Sequence, residues 1–333
     1  MVRTGAGNAL RNWAKKTVLA GLVLFPTCTR EAPAPPPPPA DPSAKAPALP
    51  ALQPEIIWDL LLEEPSDLAA LPDGSLLSVG DGGRGMVYRI EIKGDRLEVD
   101  PVWLDTEKLR HPPHDPDSIP KHAPDLEGTA PGRAGRVLLG SEYYNEVWDV
   151  DLKLRAVVGL WRLPVIAPDG AIGECAGPSR NHGLEGVSFD LARGEVLAAH
   201  ERCPPALALF SEKSGRPVKL FLRKELDDAL RAFAGSSPDG QIGSLSAAVW
   251  TKDPGVHLLL DRLKREVVRI EIDQDKSLRV QGRWGFSGVF EEKGLHAQFG
   301  NVEGMALLEG SLYLLTDPGE DHRAQMARFN WPP

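Results

Sequence analysis

The chain of 333 residues lacks several features that would place it in a common functional class. Its net charge is -9, so it has no surplus of basic residues for binding nucleic acid. Its N-terminal apolar run, residues 17–25, is too short for a membrane-spanning helix. The sequence has no serine-centred nucleophile elbow and no zinc-type histidine pair, and the loop Gly80-Asp81-Gly82-Gly83 does not open a helix as a dinucleotide-binding loop would. These absences exclude nucleic-acid binding and several familiar catalytic motifs.

The N-terminus has the composition of an export signal. Four basic residues precede the apolar run, which is followed closely by Cys28. We expect residues 1–28 to be a leader that resembles those of bacterial lipoproteins, with lipid attached at Cys28 and the protein in the periplasm or outer membrane. The residues before Cys28, Phe25-Pro26-Thr27, do not match the small residues typical of such a site. An ordinary cleaved signal and a secreted protein are the alternative.

The next segment, residues 29–53, is dominated by proline and alanine, which predicts an extended and disordered linker. A folded domain is therefore predicted over residues 54–333. Cys175 and Cys203 are the only cysteines left once Cys28 is set aside. Export would permit a disulfide between them, and we predict one.

One pattern occurs five times in this domain, at intervals of about 60 residues. The repeated segments are Ser66-Asp67-Leu68-Ala69, Leu126-Glu127-Gly128-Thr129, Leu184-Glu185-Gly186-Val187, Leu245-Ser246-Ala247-Ala248 and Val302-Glu303-Gly304-Met305. Fourteen to sixteen residues after the second position of each segment comes another acid, namely Asp81, Glu142, Glu201, Asp261 or Asp317. In this alignment nine of the ten positions are acidic, and Ser246 is the exception.

Each repeat reads as four short strands with a turn signal between the first two. In the second repeat the predicted strands are 127–130, 136–141, 146–152 and 156–163. Four-stranded units repeated around an axis are the blades of a propeller. The fifth repeat lacks a fourth strand, and residues 55–62 have no other partner. The sequence therefore predicts an all-β fold, a five-bladed β-propeller closed by an N-terminal strand that completes the last blade. A sixth blade or an open sandwich does not account for the period.

The repeated acids are expected at one rim of the central channel, because the first strand of a blade lines the axis and the second returns to the same rim. Clustered carboxylates repel one another, and a divalent cation would relieve this repulsion. Oxygen ligands favour Ca²⁺, with Mg²⁺ or Mn²⁺ as alternatives. The predicted metal ligands are Asp67, Glu127, Glu142, Glu185, Glu201, Asp261, Glu303 and Asp317. For Asp67 and Asp261 the alternative is a turn cap or an acceptor at a blade edge. The serine at position 246 would leave an opening for water or substrate.

The longest connections, 105–124, 164–182, 223–243 and 285–301, are predicted to lie at the same rim and to carry binding residues. Cationic side chains beside a metal would suit an anionic substrate such as a phosphate ester. The candidate substrate-binding residues are Arg84, His122, Arg180 and Arg202. The candidate catalytic residues are Glu127, Glu185, Glu201 and His182. Arg84, Arg202 and Arg262 are alternatively partners of the acids, and His111, His114 and His296 are equally well explained as solvated loop residues.

These motifs resemble the bacterial phytase-like family, also described as the esterase-like domain of phytase, and the related SdiA-regulated propeller proteins. The resemblance depends on the segments around Glu127, Glu185 and Glu303 and on Glu142, Glu201 and Asp317, and it extends over residues 65–330. It implies an exported propeller whose repeated acids take part in hydrolysis of phosphate esters or phosphodiesters.

Three functions are compatible with these patterns. The first is a calcium-dependent hydrolase of phosphate esters, in which a carboxylate or His182 acts as general base. The second is a non-catalytic, calcium-stabilised propeller that binds a ligand or an envelope protein. The third, glycoside hydrolysis, is the least favoured, because no single pair of acids stands out. In each case we expect a monomer that contacts a membrane only through a lipid on Cys28.

Overall fold

The computed structural model describes most of the predicted domain. The described residues are 49–80, 85–104, 125–163, 183–201, 204–234, 240–286, 301–317 and 323–332. They form five sheets of four antiparallel strands each. The predicted five-bladed propeller is confirmed.

The strands follow the chain from blade to blade. Blade one contains β2 (Pro65–Ala70), β3 (Leu76–Gly80), β4 (Met86–Lys93) and β5 (Arg96–Trp103). Blade two contains β6 (Leu126–Pro131), β7 (Arg136–Ser141), β8 (Glu146–Asp151) and β9 (Ala156–Arg162). Blade three contains β10 (Leu184–Asp190), β11 (Glu195–His200), β12 (Ala206–Ser211) and β13 (Pro217–Phe221). Blade four contains β14 (Leu245–Trp250), β15 (Val256–Asp261), β16 (Glu266–Ile272) and β17 (Leu278–Gly285). Blade five contains β18 (Val302–Leu308), β19 (Ser311–Thr316), β20 (Arg323–Asn330) and β1 (Pro54–Leu61).

The last blade is completed by the N-terminal strand, as the unpartnered segment 55–62 predicted. Strand β1 runs antiparallel to β20, with Ile57 opposite Ala327. The residues just before it, at the end of the predicted linker, also pair: Leu52 N–H donates to the Gly285 carbonyl at 2.8 Å, and Gly285 N–H donates to the Pro50 carbonyl at 3.0 Å. Two links therefore close the ring, one within blade five and one to the outer strand of blade four.

The hydrophobic core is divided among the interfaces between blades. Five clusters of buried side chains each join residues of two neighbouring blades. The first strands β2, β6, β10, β14 and β18 contact one another in sequence around the axis. The outer strand β5 instead alternates between exposed and half-buried residues, as expected for a strand with one face in water. The first strands therefore lie at the centre of the ring, and each carries the first repeated position of its blade.

One predicted loop contains a helix. Within the connection 223–243, residues Arg223–Ala234 form α1, whose Leu226 and Leu230 are buried against blades three and four. Asp227 fixes the end of this connection, because its carboxylate accepts the Ile242 N–H at 2.9 Å. Among the described residues, no helix has the length and apolar character needed to cross a membrane.

Candidate metal centre at the channel rim

Every first strand begins with the same irregularity. In blade two, Leu126 pairs with Ser141 and Gly128 with Gly140, so Glu127 is an extra residue that the strand register skips. A bulge of this kind turns a side chain out of the regular alternation. The equivalent residues in blades one, three, four and five are Ser66, Glu185, Ser246 and Glu303. The bulge therefore defines the first repeated position of each blade.

A backbone hydrogen bond defines the second repeated position. Glu142 N–H donates to the Asp125 carbonyl at 2.9 Å, and Glu201 N–H donates to the Gly183 carbonyl at 2.8 Å. In blade five Asp317 N–H donates to the Asn301 carbonyl at 2.9 Å. In blade four the residue that makes this bond is Arg262, at 3.0 Å from the Ser244 carbonyl. A cation thus stands where three other blades place an acid.

The alignment of the five repeats made from the sequence was therefore wrong by one residue in two blades. The first position of blade one is Ser66 and not Asp67, and the second position of blade four is Arg262 and not Asp261. In both blades an acid stands next to the true position, Asp67 beside Ser66 and Asp261 beside Arg262, so sequence spacing alone does not show which residue occupies it. Of the nine repeated positions in the described part of the chain, six are acidic, and Ser66, Ser246 and Arg262 are the exceptions.

Asp67 joins three blades instead of facing the rim. One carboxylate oxygen accepts the Leu68 N–H at 2.7 Å and the Met305 N–H at 3.4 Å, and the other accepts the Thr129 N–H at 2.7 Å. The side chain is fully buried, and this burial raises its pKa well above the usual value although the three N–H groups oppose the shift. This geometry matches the alternative reading of Asp67 as a hydrogen-bond acceptor.

Asp261 has a similar environment within its own blade. Its carboxylate accepts backbone N–H groups of Gly243 at 2.7 Å, Ser244 at 3.0 Å and Lys264 at 3.2 Å. Burial raises its pKa, and the N–H donors oppose the shift. The carboxylate therefore stabilises the turns at the start of β14 and the end of β15.

The glycines after the glutamates allow the first strands to approach closely. A Cβ on Gly186 would lie 2.8 Å from the backbone carbon of Ala247 in the next blade. A Cβ on Gly128 would lie 3.1 Å from the Glu185 carbonyl oxygen. The first distance is too short for a side chain and the second is tighter than most Cβ contacts, so glycine at these positions suits the close packing of backbones around the axis.

Blade two brings three carboxylates together at the rim. Each of Asp125, Glu127 and Glu142 offers an oxygen, and these oxygens lie within 4.8 Å of one another. Glu127 and Glu142 are each only 7% exposed. Burial raises the pKa of Glu142 to about 7. The Gly183 N–H, which donates to the Glu142 carboxylate at 2.6 Å, opposes this shift. Burial and then the charge of Glu64 raise the pKa of Asp125.

Sequence reasoning identified Glu127 and Glu142 but missed Asp125. This residue lies two positions before the bulge and has a positive φ of 50°. Blade one has Glu64 there, with a positive φ of 44°, but blades three, four and five have glycine, serine and asparagine, so the repeat does not single the position out. The sequence did contain a signal for Asp125, because it is a second acid only two residues before Glu127. Asp also tolerates the left-handed conformation better than most residues.

The opposite side of the rim is organised around Arg262. Its guanidinium donates to Oε1 of Glu201 in blade three and to Oε1 of Glu303 in blade five. Glu201 also accepts the Ser244 hydroxyl at 2.9 Å, and Glu303 accepts the Asn301 amide at 2.6 Å. Arg262 therefore bridges the two blades that flank its own.

The charges of this group shift one another's pKa values. Burial raises the pKa of Glu303 to about 8, with Arg262 opposing and Asp317 adding to the shift. Burial and then the charges of Glu127, Glu201 and Glu303 raise the pKa of Glu185 well above its usual value. Burial alone would lower the pKa of Arg262, but the surrounding glutamates outweigh it and raise that pKa. Among the described rim residues, the acids around Arg262 outnumber it.

Position 246 does not form the expected opening. Ser246 is fully buried, and its hydroxyl donates to the Val302 carbonyl at 3.1 Å. Its blade contributes Arg262 to the rim, and Asp317 is half-buried in the neighbouring blade. The structure thus places a guanidinium on the side where the sequence suggested an entrance.

Several predicted site residues lie outside the described part of the chain. They are Cys28, Asp81, Arg84, His111, His114, His122, Cys175, Arg180, His182, Arg202, Cys203 and His296. The predicted disulfide, lipid attachment and substrate contacts therefore stay predictions, as do the ligand and catalytic roles of the acids.

A cavity of about 350 Å³ lies at the other end of the channel. It is lined by residues near the ends of all five first strands, among them Leu71, Ala130, Phe189, Trp250 and Leu308. This lining is mainly apolar, whereas the rim at the start of the same strands is acidic. Among the described residues, the carboxylates that converge on one another therefore lie at the rim and not in this cavity.

A family model described as phytase-like, esterase-like activity of phytase, matches residues 62–225. The matched range includes blades one to three and hence Asp125, Glu127, Glu142, Glu185 and Glu201. No curated protein matches the chain.

Solved structures similar to the chain are distant in sequence. Glutaminyl cyclase of Myxococcus xanthus is 12% identical, with 83% of this chain and 97% of that chain covered and a TM-score of 0.47. The RRP9 WD40 repeats are 11% identical, with 85% and 99% covered and a TM-score of 0.46. A chain of the mitotic checkpoint complex is 11% identical, with a TM-score of 0.38; the match covers 78% of this chain and only 60% of that one.

Proposed function

We propose that this chain, whose residues 62–225 belong to the phytase-like family, is a metal-dependent hydrolase of phosphate esters or phosphodiesters. The observation that carries the proposal is the group of Asp125, Glu127 and Glu142, whose oxygens converge within 4.8 Å at the rim of the channel. Like charges so close together are unfavourable without a cation.

Calcium is the proposed ion. The three residues offer only carboxylate oxygens, which suit Ca²⁺ and to a lesser degree Mg²⁺ or Mn²⁺. The raised pKa values of Asp125 and Glu142 mean that protons stabilise the group when no cation does. The residues present therefore fit a hard divalent cation held by blade two.

The remaining rim residues have separate proposed roles. When bound, the cation supplies positive charge that stabilises a phosphoryl group and lowers the pKa of water beside it. Glu185 interacts electrostatically with Glu127 but is not one of the three converging acids, so it is the proposed general base. Glu201 positions Arg262 through their ion pair. His182 is the alternative base, and Arg84, His122, Arg180 and Arg202 are proposed to bind the anionic substrate.

The location of the protein is also a proposal. The basic, apolar and cysteine-containing leader supports export and a lipid anchor at Cys28, and the proline-rich linker would separate the propeller from the membrane. A small phosphorylated substrate in the cell envelope is consistent with this placement.

The test is turnover by the purified protein of a bis-aryl phosphodiester, an aryl phosphomonoester and phytate, each with calcium and with a chelator. We expect calcium-dependent hydrolysis of at least one substrate, and loss of it in Glu127→Gln and Glu185→Gln. Lys93→Gln on blade one is a control, because Lys93 makes exposed ion pairs far from the three acids. Absence of turnover with every substrate would reject the hydrolase.

A second candidate is a non-catalytic propeller that uses the ion for stability. The ion pairs that join Arg262 to blades three and five favour it, because they tie rim acids into a structural role. This candidate predicts that calcium raises the melting temperature although no phosphate ester is hydrolysed.

A further inference from the structure

Arg262 stands at the second repeated position of its blade, where three other blades have an acid. The backbone bond from its N–H to the Ser244 carbonyl is the one made by Glu142, Glu201 and Asp317 in their own blades. The side chain therefore starts from the same place on the rim as three carboxylates. The difference is one of charge and not of backbone position.

The guanidinium occupies the space among the acids of blades three and five. It contacts Glu201 and Glu303 directly, and it interacts electrostatically with Glu185. Its side chain is only 13% exposed. A cation in this place, bound by acids from different blades, does what a metal ion would do there, since it neutralises converging carboxylates and joins the strands that carry them.

We infer that Arg262 takes the place of a second divalent cation and limits the rim to one metal ion, held by Asp125, Glu127 and Glu142. A second ion near Glu185, Glu201 and Glu303 would meet the fixed positive charge of the guanidinium and would lose two carboxylates as ligands. Position 262 thus determines how many ions the propeller binds. The statement that the native rim holds one ion depends on the proposed function, whereas the exclusion of an added ion depends only on Arg262.

The experiment compares ion stoichiometry in the native protein and in Arg262→Glu, which restores the acid of the repeat. Calcium binding is measured by equilibrium dialysis and by titration calorimetry. We expect the variant to bind one more ion per chain than the native protein. Equal stoichiometry in the two proteins would overturn the inference.

Two further variants keep the result interpretable. Arg262→Met removes the charge without adding an acid, and we expect it also to gain an ion, so it serves if Arg262→Glu does not fold without calcium. Lys264→Glu is the matched control, because it makes the same charge change two residues along the same turn. We expect no gain from it, and a gain as large as that of Arg262→Glu would contradict a specific role for position 262.

The ion gained by Arg262→Glu and the proposed ion site of blade two are tested independently of each other. If the native protein binds no ion, the site in blade two is wrong, but an ion gained by Arg262→Glu still supports the inference. In the triple variant Arg262→Glu, Glu201→Gln, Glu303→Gln we expect the added ion to be lost. Retention of that ion would show that it binds elsewhere and would overturn the inference.

Discussion

Two groups of acids lie near the same ends of the first and second strands, in different blades, and their surroundings differ. The inner group, Asp67 and Asp261, accepts hydrogen bonds from six backbone N–H groups. The rim group around Glu127, Glu142 and Glu185 is surrounded mainly by other acids. Residue type and burial therefore do not by themselves identify a candidate metal ligand. Asp67 and Asp261 hold the backbone through several N–H groups, whereas the oxygens of Asp125, Glu127 and Glu142 converge on one another.

The largest effect on stability is expected at Asp67. Asp67→Ala leaves three buried N–H groups of blades one, two and five without their acceptor. Each unsatisfied donor costs about 1 kcal/mol or more, so the free energy of unfolding should fall by roughly 3–5 kcal/mol and the melting temperature by roughly 10 °C. Thermal melting with and without calcium checks this. A loss that calcium alone repairs would place Asp67 in the rim group.

The second effect is a dependence of stability on pH in the metal-free protein. The folded protein holds protons on Glu142 with a pKa of about 7 and on Glu303 with a pKa of about 8, against a usual value of 4.5. The folded protein therefore binds more protons than the unfolded chain at pH values between the usual pKa of 4.5 and the raised pKa values of about 7 and about 8. This stabilisation is complete below pH 4.5 and is lost as the pH rises through 7 and 8.

We accordingly expect the melting temperature in a chelator to fall by roughly 5 °C between about pH 5 and about pH 8.5. Calcium should reduce this difference, because it replaces protons as the counter-charge of the rim. A melting temperature that rises over the same interval would show that the rim acids are not poised as their surroundings indicate.

A smaller effect of opposite sign is expected at Glu185. Removing its charge with Glu185→Gln relieves repulsion from Glu127, Glu201 and Glu303, so the metal-free protein should melt roughly 2–4 °C higher near neutral pH. The stabilisation gained on adding calcium should shrink in the same variant. Destabilisation of the metal-free variant would mean that Glu185 behaves as Asp67 does.

The smallest effect is expected at Ser246. Ser246→Ala removes one hydrogen bond, from the serine hydroxyl to the Val302 carbonyl, which contributes about 1 kcal/mol. Calcium affinity should be unchanged, since the hydroxyl does not face the converging acids. A change of affinity of about tenfold or more in a calcium titration would restore position 246 to the rim.

The fold could be predicted because the sequence shows both the fivefold repeat and the absence of a fourth strand in the last repeat. Turn signals separated the strands, and segment 55–62 had a single possible partner. The side chains at the rim were harder to predict, since in blades one and four an acid, Asp67 or Asp261, stands next to the position that strand pairing assigns to Ser66 or Arg262. Which acid meets backbone N–H groups and which meets other acids depends on contacts between blades, such as that of Asp67 with Thr129 and Met305. Such contacts leave no local pattern in the chain.

The central claim is that Asp125, Glu127 and Glu142 hold a divalent cation, and calcium titration of the native protein beside Glu127→Gln tests it most directly. Asp73→Asn is the matched control, because Asp73 is an exposed acid paired with Arg89 at 2.6 Å. We predict that one ion binds the native protein and the control alike, and that affinity falls by about 100-fold or more in Glu127→Gln. Equal affinity in the native protein and Glu127→Gln would contradict the claim.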